Sequence, residues 1–389
     1  MPKKFFLISD GSDLAGITIA NNIRYIRILR NSMLWLYAWP RKAVGEKERK
    51  TMFYERIFII SLIIACIISS SIYVKNNTAK LSFFELGHTY ITILMTVVCL
   101  VRSFLIISPS YHKLMADFLA KIHLLNWKEK SDYAMKQHLL IHKMCHFFTM
   151  YIFGTMYSGM ILFNMTPIYN NITTGAYNPA KLGKENVTLQ LAVYYALPFD
   201  YMSTYKGYAI VFSFNCYVSY MCSCWFCIID LMMTVFVIHI WGHLNIITYY
   251  LENFTNIQGL DGERNVPWYT EEENHKAFLG LRDIIIYHSQ IVKFITRMSQ
   301  IFGPSLLVYY AFHQTSLCLL LLECSQMSTE VLLRYGPLTV ILFQQLIQLS
   351  LIFELLGSMT DKLVNGAYSV PWELMDTRNR KLVIVMLRQ

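Results

Sequence analysis

The stretch that decides the fold is IFIISLIIACIISSSIYV, residues 57–74, which contains no charged residue and lies between Arg56 and Lys75. A helix needs roughly 20 apolar residues to cross about 30 Å of hydrocarbon. This segment is therefore predicted to span a membrane. The fold class then depends on how often the chain repeats the pattern.

The composition of all 389 residues is that of a membrane protein. Hydrophobic residues make up 55% of the chain and charged residues only 15%, whereas a typical soluble protein has about 25% charged residues. The net charge of +9 is carried between apolar runs, as in cytoplasmic loops, which argues against nucleic-acid binding. An ordinary soluble globular protein is excluded.

Five further apolar segments follow the first. We therefore predict an all-α integral membrane protein, a helical bundle of six spans. The predicted spans are residues 57–74, 88–107, 147–167, 208–241, 301–322 and 338–359.

The distribution of Lys and Arg predicts the orientation. Ten of them lie in the leader, residues 1–51, and six lysines lie in the loop 110–143, whereas segment 324–336 has only Arg334. Positive charges are retained in the cytoplasm, so the N-terminus is predicted to be cytoplasmic, an inverted topology. Residues 52–362 form the six-span region with long cytoplasmic helix extensions, and residues 363–389 a cytoplasmic segment.

The leader contains an amphipathic pattern over residues 17–39. Arg24, Arg27 and Arg30 recur at helical spacing beside apolar residues. This pattern predicts a helix lying at the cytoplasmic membrane interface.

Three glycosylation sequons fall in loops predicted to lie outside. Their acceptors are Asn76, Asn171 and Asn186. Such sequons predict surface loops of a secretory-pathway protein.

Some polar groups lie within or beside the spans. Arg102 is close to the end of its span, so we expect its side chain to extend to the cytoplasmic interface. For Asp230, pairing with a neighbouring helix and lining a wet cavity both remain open. His138, His142 and His146 recur every four residues, as metal ligands would, but are interpreted as a polar stripe at the cytoplasmic boundary.

No enzyme motif has useful spacing. The sequence lacks H-E-x-x-H, G-x-S-x-G and a phosphate-binding glycine loop. The run of Cys222, Cys224 and Cys227 is interpreted as buried thiols, which behave as small hydrophobes. We therefore expect no enzyme, no cofactor and no metal site.

Several spans mix aromatic rings with isolated hydroxyls and small residues, as pockets for apolar small molecules do. Ordinary aromatic packing between helices is the better explanation at any single position taken alone. The candidate ligand-binding residues are Thr89, Tyr90, Phe153, Gly154, Tyr157, Ser158, Tyr208, Phe212, Cys216, Thr339 and Phe343.

The C-terminal stretch DKLVNGAYSVPWELMDTRNRKL, residues 361–382, carries a family resemblance. A small residue and Tyr368, then Trp372, then the basic pair Arg380 and Lys381 resemble the segment before the last span of insect odorant receptors. The sequences of this stretch and of WLYAWP, residues 35–40, are most similar to those of moth and butterfly members.

This resemblance implies a subunit of a ligand-gated cation channel in the plasma membrane of sensory neurons. The family's receptors bind a small volatile odorant or pheromone and form a heterotetramer with a shared co-receptor. Tyr368, Trp372, Arg380 and Leu382 would belong to the cytoplasmic anchor between subunits. The pocket would lie among the outer halves of spans two, three, four and six.

The chain departs from the family pattern at its end. Residues 381–389 are too short and basic to cross a bilayer, so we expect a truncated chain with only the cytoplasmic first half of a seventh helix. The alternatives are a G-protein-coupled receptor, which would have the opposite orientation, and a gustatory chemoreceptor of the same architecture.

Overall fold

The computed structural model describes residues 11–14, 16–47, 51–79, 81, 83–179, 182, 187–254, 268–325 and 329–388. All regular structure in these residues is helical, so the all-α prediction is confirmed. The α-helices are α1 (Arg24–Trp35), α2 (Met52–Asn77), α3 (Phe83–Leu105), α4 (Pro109–Asp117), α5 (Asp132–Thr173), α6 (Tyr205–Glu252), α7 (Glu271–Cys324), α8 (Thr329–Ser369) and α9 (Thr377–Arg388).

Five segments of the described chain are long and apolar enough to cross a membrane. They lie along α2, α3, α6, α7 and α8 and match five of the six predicted spans, of which 88–107 runs two residues past the end of α3 at Leu105. The sixth prediction, residues 147–167, lies in α5, which is long enough but less apolar because it carries residues such as Thr155, Asn164 and Thr166. The span count of six therefore stays a prediction.

Helix α6 forms the centre of the bundle. Every residue from 224 to 240 is buried, and α6 packs against α5 and α8 along its length, with further contacts to α3 and α7. A helix that is apolar on all sides is stable only when neighbours surround it. This central position explains the long uninterrupted apolar run of α6.

The two ends of the bundle differ. The connection 187–204 between α5 and α6 lies at one end, which we call the loop end; α1, α4 and α9 pack at the other, which we call the leader end. Helices α6 and α7 contain 48 and 54 residues, or about 70–80 Å at 1.5 Å per residue. Because the hydrocarbon core is only about 30 Å thick, both helices extend well beyond it.

Helix α1 buries its apolar face against protein. Tyr25, Ile26, Leu29 and Met33 are buried where α1 contacts α5 and α6, while Trp35 is exposed. The apolar face of the amphipathic leader helix thus packs against helices of the bundle. The location of this helix at the membrane surface stays a prediction.

The histidines of α5 lie in the protein interior. His138, His142 and His146 are each no more than 2% exposed, so their interpretation as an interfacial polar stripe is wrong. They face α1 and the loop before α5, where the Tyr25 hydroxyl lies 2.7 Å from Nε2 of His123. The spacing in the sequence predicted that these histidines share one helical face, but not that the leader covers this face.

Two imidazoles of this region, those of His123 and His138, favour the neutral form because burial penalises a positive charge. Burial, followed by the neighbouring charges of His142 and Lys128, lowers the pKa of His138 to about 4. Burial likewise lowers the pKa of His123. Within the described residues, no group of three His, Cys, Asp or Glu side chains has the geometry to hold a metal ion.

The C-terminal segment is attached to the start of α7. Nδ2 of Asn379 donates to the carbonyl oxygen of Asn274 at 2.8 Å, and the backbone N–H of Asp376 donates to Oδ1 of Asn274 at 2.9 Å. The guanidinium of Arg378 lies 3.7 Å from the ring centre of Phe278. These contacts place α9 on the leader end of the bundle.

Candidate functional site

A cavity of about 150 Å³ lies near the loop end, enclosed by α3, α5, α6, α7, α8 and the 187–204 connection. No Asp, Glu, Lys or Arg is among its described lining residues. The lining consists of His88, Ile91, Thr92, Met95, Thr155, Met156, Gly159, Met160, Leu162, Phe163, Thr166, Pro167, Asn170, Gln190, Leu191, Ala192, Ser219, Ser223, Phe226, Cys227, Phe312, Leu338, Ile341, Leu342 and Gln345.

The hydroxyl groups of this lining are mostly committed to the helices that carry them. Thr92, Thr155, Thr166 and Ser219 each donate to a backbone carbonyl three or four residues earlier, at 2.5–3.0 Å. A hydroxyl that donates its proton keeps lone pairs that can accept. The walls therefore present apolar surface with isolated hydrogen-bond acceptors, which suits an uncharged molecule.

Side chains from the helices fix the connection that covers the cavity. The side chain of Asn171 brackets Gln190: its Nδ2 donates to the carbonyl oxygen at 3.0 Å and its Oδ1 accepts from the backbone N–H at 2.7 Å. Nε2 of His88 donates to the carbonyl oxygen of Ala192 at 3.0 Å. Nδ2 of Asn215 donates to that of Val193 at 2.9 Å. Buried backbone groups of an irregular segment require such partners, because each unpaired N–H or C=O group away from water costs free energy.

An ion pair lies next to the cavity floor, toward the leader end. Nη2 of Arg102 lies 2.6 Å from Oδ1 of Asp230, and Nη1 donates to the carbonyl oxygens of Trp225 and Phe226 at 3.0 and 2.7 Å. The guanidinium also lies 4.5 Å from the ring centre of Tyr309. The pair joins α3 to α6 directly below Phe226, which lines the cavity.

The expectation that Arg102 extends to the membrane interface is wrong, since its side chain is 0% exposed. A charge inside the hydrocarbon region is stable only when paired and hydrogen-bonded. Asp230 supplies the countercharge, which decides between the two readings left open for it: it pairs with a neighbouring helix. Neither span alone shows that these two positions face each other.

The eleven predicted ligand-binding residues all lie outside the cavity lining. Tyr90, Tyr157 and Phe343 are exposed on the outside of the bundle. Tyr208 and Phe212 belong to an aromatic cluster beneath the 187–204 connection. Thr89 and Thr339 are buried, and Phe153, Gly154, Ser158 and Cys216 are partly buried or exposed. Their roles in ligand binding stay predictions.

The predicted helices are thus those that form the cavity, but a different face of each one reaches it. On α5 the lining positions 155, 159, 163, 166 and 170 recur every three or four residues, which is one helical face. The predicted positions 153, 154, 157 and 158 lie on other sides of the helix. Thr155, Gly159 and Phe163 also recur at helical spacing, and this was the signal that the sequence prediction missed. Sequence alone does not show which of the two helical faces points toward the cavity.

The described glycosylation acceptors differ in environment. Asn76 is exposed, whereas Asn171 is 0% exposed and holds Gln190, so a glycan there would require this contact to open. Asn186 lies outside the described residues. Of the predicted anchor residues, Tyr368 is exposed and Trp372 and Leu382 are half-buried. Nε of Arg380 donates to the carbonyl oxygen of Met375 at 2.9 Å.

Comparison with protein families gives a match over most of the chain. The model of the 7tm Odorant receptor family matches residues 82–389. The chain belongs to the odorant receptor family. It is accordingly a multi-pass membrane protein of receptor type. No curated relative matches the sequence of this odorant receptor.

The fold of this odorant receptor is similar to solved structures of the insect olfactory receptor OR5 from Machilis hrabei. One has a TM-score of 0.67 at 14% sequence identity, and covers 94% of this chain and 89% of that chain. The structure of OR5 in complex with eugenol has a TM-score of 0.68 at 13% identity, with the same coverage. At this level of identity the likeness shows the fold.

Proposed function

We propose that this odorant receptor binds a small neutral volatile in the cavity near the loop end and thereby gates a cation channel that it forms with a co-receptor. The observation that carries the proposal is the cavity itself, which lies between five helices and the 187–204 connection and has no Asp, Glu, Lys or Arg among its described lining residues. Burying an ionised ligand there would leave its charge unpaired, at a high cost in free energy. A neutral, largely apolar molecule meets no such cost.

Two further observations support this function. The similar receptor OR5 has been solved with eugenol, a small neutral phenol. The cavity floor also includes Phe226, whose carbonyl oxygen accepts from Arg102. A ligand that contacts α6 at this point can favour one arrangement of α3 and α6 over another, and only such a difference in affinity shifts a conformational equilibrium.

The proposal includes a location and an orientation. The chain resides in the plasma membrane of sensory neurons with its leader in the cytoplasm, and Asn76 is available for glycosylation. Tyr368, Trp372, Arg380 and Leu382 contact neighbouring subunits. A tag at the N-terminus should then be reached by antibody only after permeabilisation, and staining of intact cells would reject this orientation.

Filling the cavity tests the binding site. Leu342 lines the cavity and is 5% exposed, whereas Leu351 on the same helix is 59% exposed. We expect Leu342→Trp to abolish odorant-evoked current in cells that express the chain with a co-receptor, and Leu351→Trp to leave the current unchanged at equal surface expression. An undiminished response of the Leu342→Trp channel would place the binding site elsewhere.

A further inference from the structure

Gly159 lies on the face of α5 that lines the cavity, opposite α8. A Cβ atom at this position would lie 3.2 Å from Cδ1 of Ile341, which also lines the cavity. Carbon atoms in ordinary contact are 3.5–4.0 Å apart. The Ile341 side chain can therefore occupy its present position because Gly159 has no side chain.

A second glycine on the same helix provides the contrast. Gly154 is exposed, and a Cβ atom there would meet nothing within 4 Å. Glycine in a helix interior is less favourable than alanine because it loses more backbone freedom on folding. At Gly154 an added methyl group meets no neighbour, whereas at Gly159 the space it would need is taken by Ile341.

From this contact we propose that Gly159 and Ile341 together set the largest ligand that the cavity accepts. The inference rests on the proposed function and names the two residues that determine ligand size at the proposed binding site. A methyl group at position 159 narrows the gap between α5 and α8 and displaces the Ile341 side chain, since both residues border the same space. Ligands that reach this gap lose affinity, and shorter ligands do not.

The test uses a series of primary alcohols from butanol to dodecanol, which are neutral and differ only in length. Their affinities are measured with the purified 389-residue chain in lipid nanodiscs by calorimetric titration. We expect affinity to rise with length to a cut-off. We expect Gly159→Ala to move that cut-off to shorter alcohols and to weaken the longest bound alcohol about tenfold, the effect of one methylene in a tight pocket.

Two further variants separate this effect from a general disturbance. Ile341→Val removes the Cδ1 atom that an added methyl would approach, so the double variant Gly159→Ala with Ile341→Val should regain the original cut-off. The control is Gly357→Ala on α8, where the glycine is exposed and an added Cβ atom meets nothing within 4 Å; this variant should leave all affinities unchanged. Equal weakening of short and long alcohols by Gly159→Ala, or an unchanged cut-off, would overturn the inference while the cavity remains a binding site. If the unaltered chain binds none of the alcohols, the proposed function fails as well.

Discussion

Near the loop end, polar side chains border a cavity that has no Asp, Glu, Lys or Arg among its described lining residues, whereas toward the leader end the bundle buries an arginine, an aspartate and several histidines. Both regions lie among the same long helices. At the cavity most of the hydroxyl groups donate within their own helices, and the side chains of Asn171 and His88 bond to the covering connection. Toward the leader end several polar groups bond between helices, as Arg102 does with Asp230 and His243 with Tyr287.

The difference separates two tasks. Groups that bond locally leave the helices free to stand apart around a ligand, and polar groups that bond between helices fix their relative positions. The region toward the leader end should therefore control the stability of the bundle, and the cavity region should tolerate change. The following predictions test this division.

The largest expected effect is at the buried ion pair. Asp230→Ala leaves the charge of Arg102 buried and uncompensated, which should lower the free energy of unfolding by about 3–5 kcal/mol. Replacing both residues by leucine should restore much of this loss. Thermal and denaturant unfolding of the purified chain measure it.

Glu272→Ala is the control, because Glu272 forms an exposed pair with Lys276 and exposed pairs contribute little. If the double leucine variant is no more stable than Asp230→Ala, the charge pairing does not explain the effect.

Acidification should act through the buried histidines. The folded-state pKa of His138 is about 4, below the ordinary value of about 6.5, so the unfolded chain binds more protons between these values. Stability is thus complete above about pH 6.5 and falls as the pH falls toward 4. From pH 7 to 5 the loss from this residue should be about 2 kcal/mol.

The variant His138→Asn should show a correspondingly weaker pH dependence in thermal unfolding. His275→Asn serves as the control, because His275 is exposed. Parallel stability profiles for the unaltered chain and His138→Asn would show that His138 does not titrate as its burial implies.

The smallest expected effect is at the covering connection. Asn171→Ala removes both hydrogen bonds to the backbone of Gln190 and should lower the local stability of residues 189–192 by about 1–2 kcal/mol. Amide hydrogen exchange there should then be roughly tenfold faster or more. Asn170→Ala is the matched control, since Asn170 bonds only the side-chain oxygen of Gln190. Equal exchange in both variants would mean that Asn171 does not hold the connection.

Much of the fold was accessible from local sequence. Five of the predicted spans lie in helices with the length and apolarity to cross a membrane, because those two properties are carried by each segment alone. The C-terminal sequence motif around Trp372 was sufficient to indicate the family, which the match over residues 82–389 confirms.

The rest required the packing of the helices. Helical periodicity shows which residues share a face, as for His138, His142 and His146, but not which neighbour covers that face. The same limit applies at the cavity: sequence selected the right helices, yet only their rotation brings Thr155 and Gly159 inward and leaves Tyr157 outside. The pairing of Arg102 with Asp230 joins positions 128 residues apart. Sequence thus determined the helices and their membrane class, and tertiary structure decided the inward faces, because burial depends on contacts between segments distant along the chain.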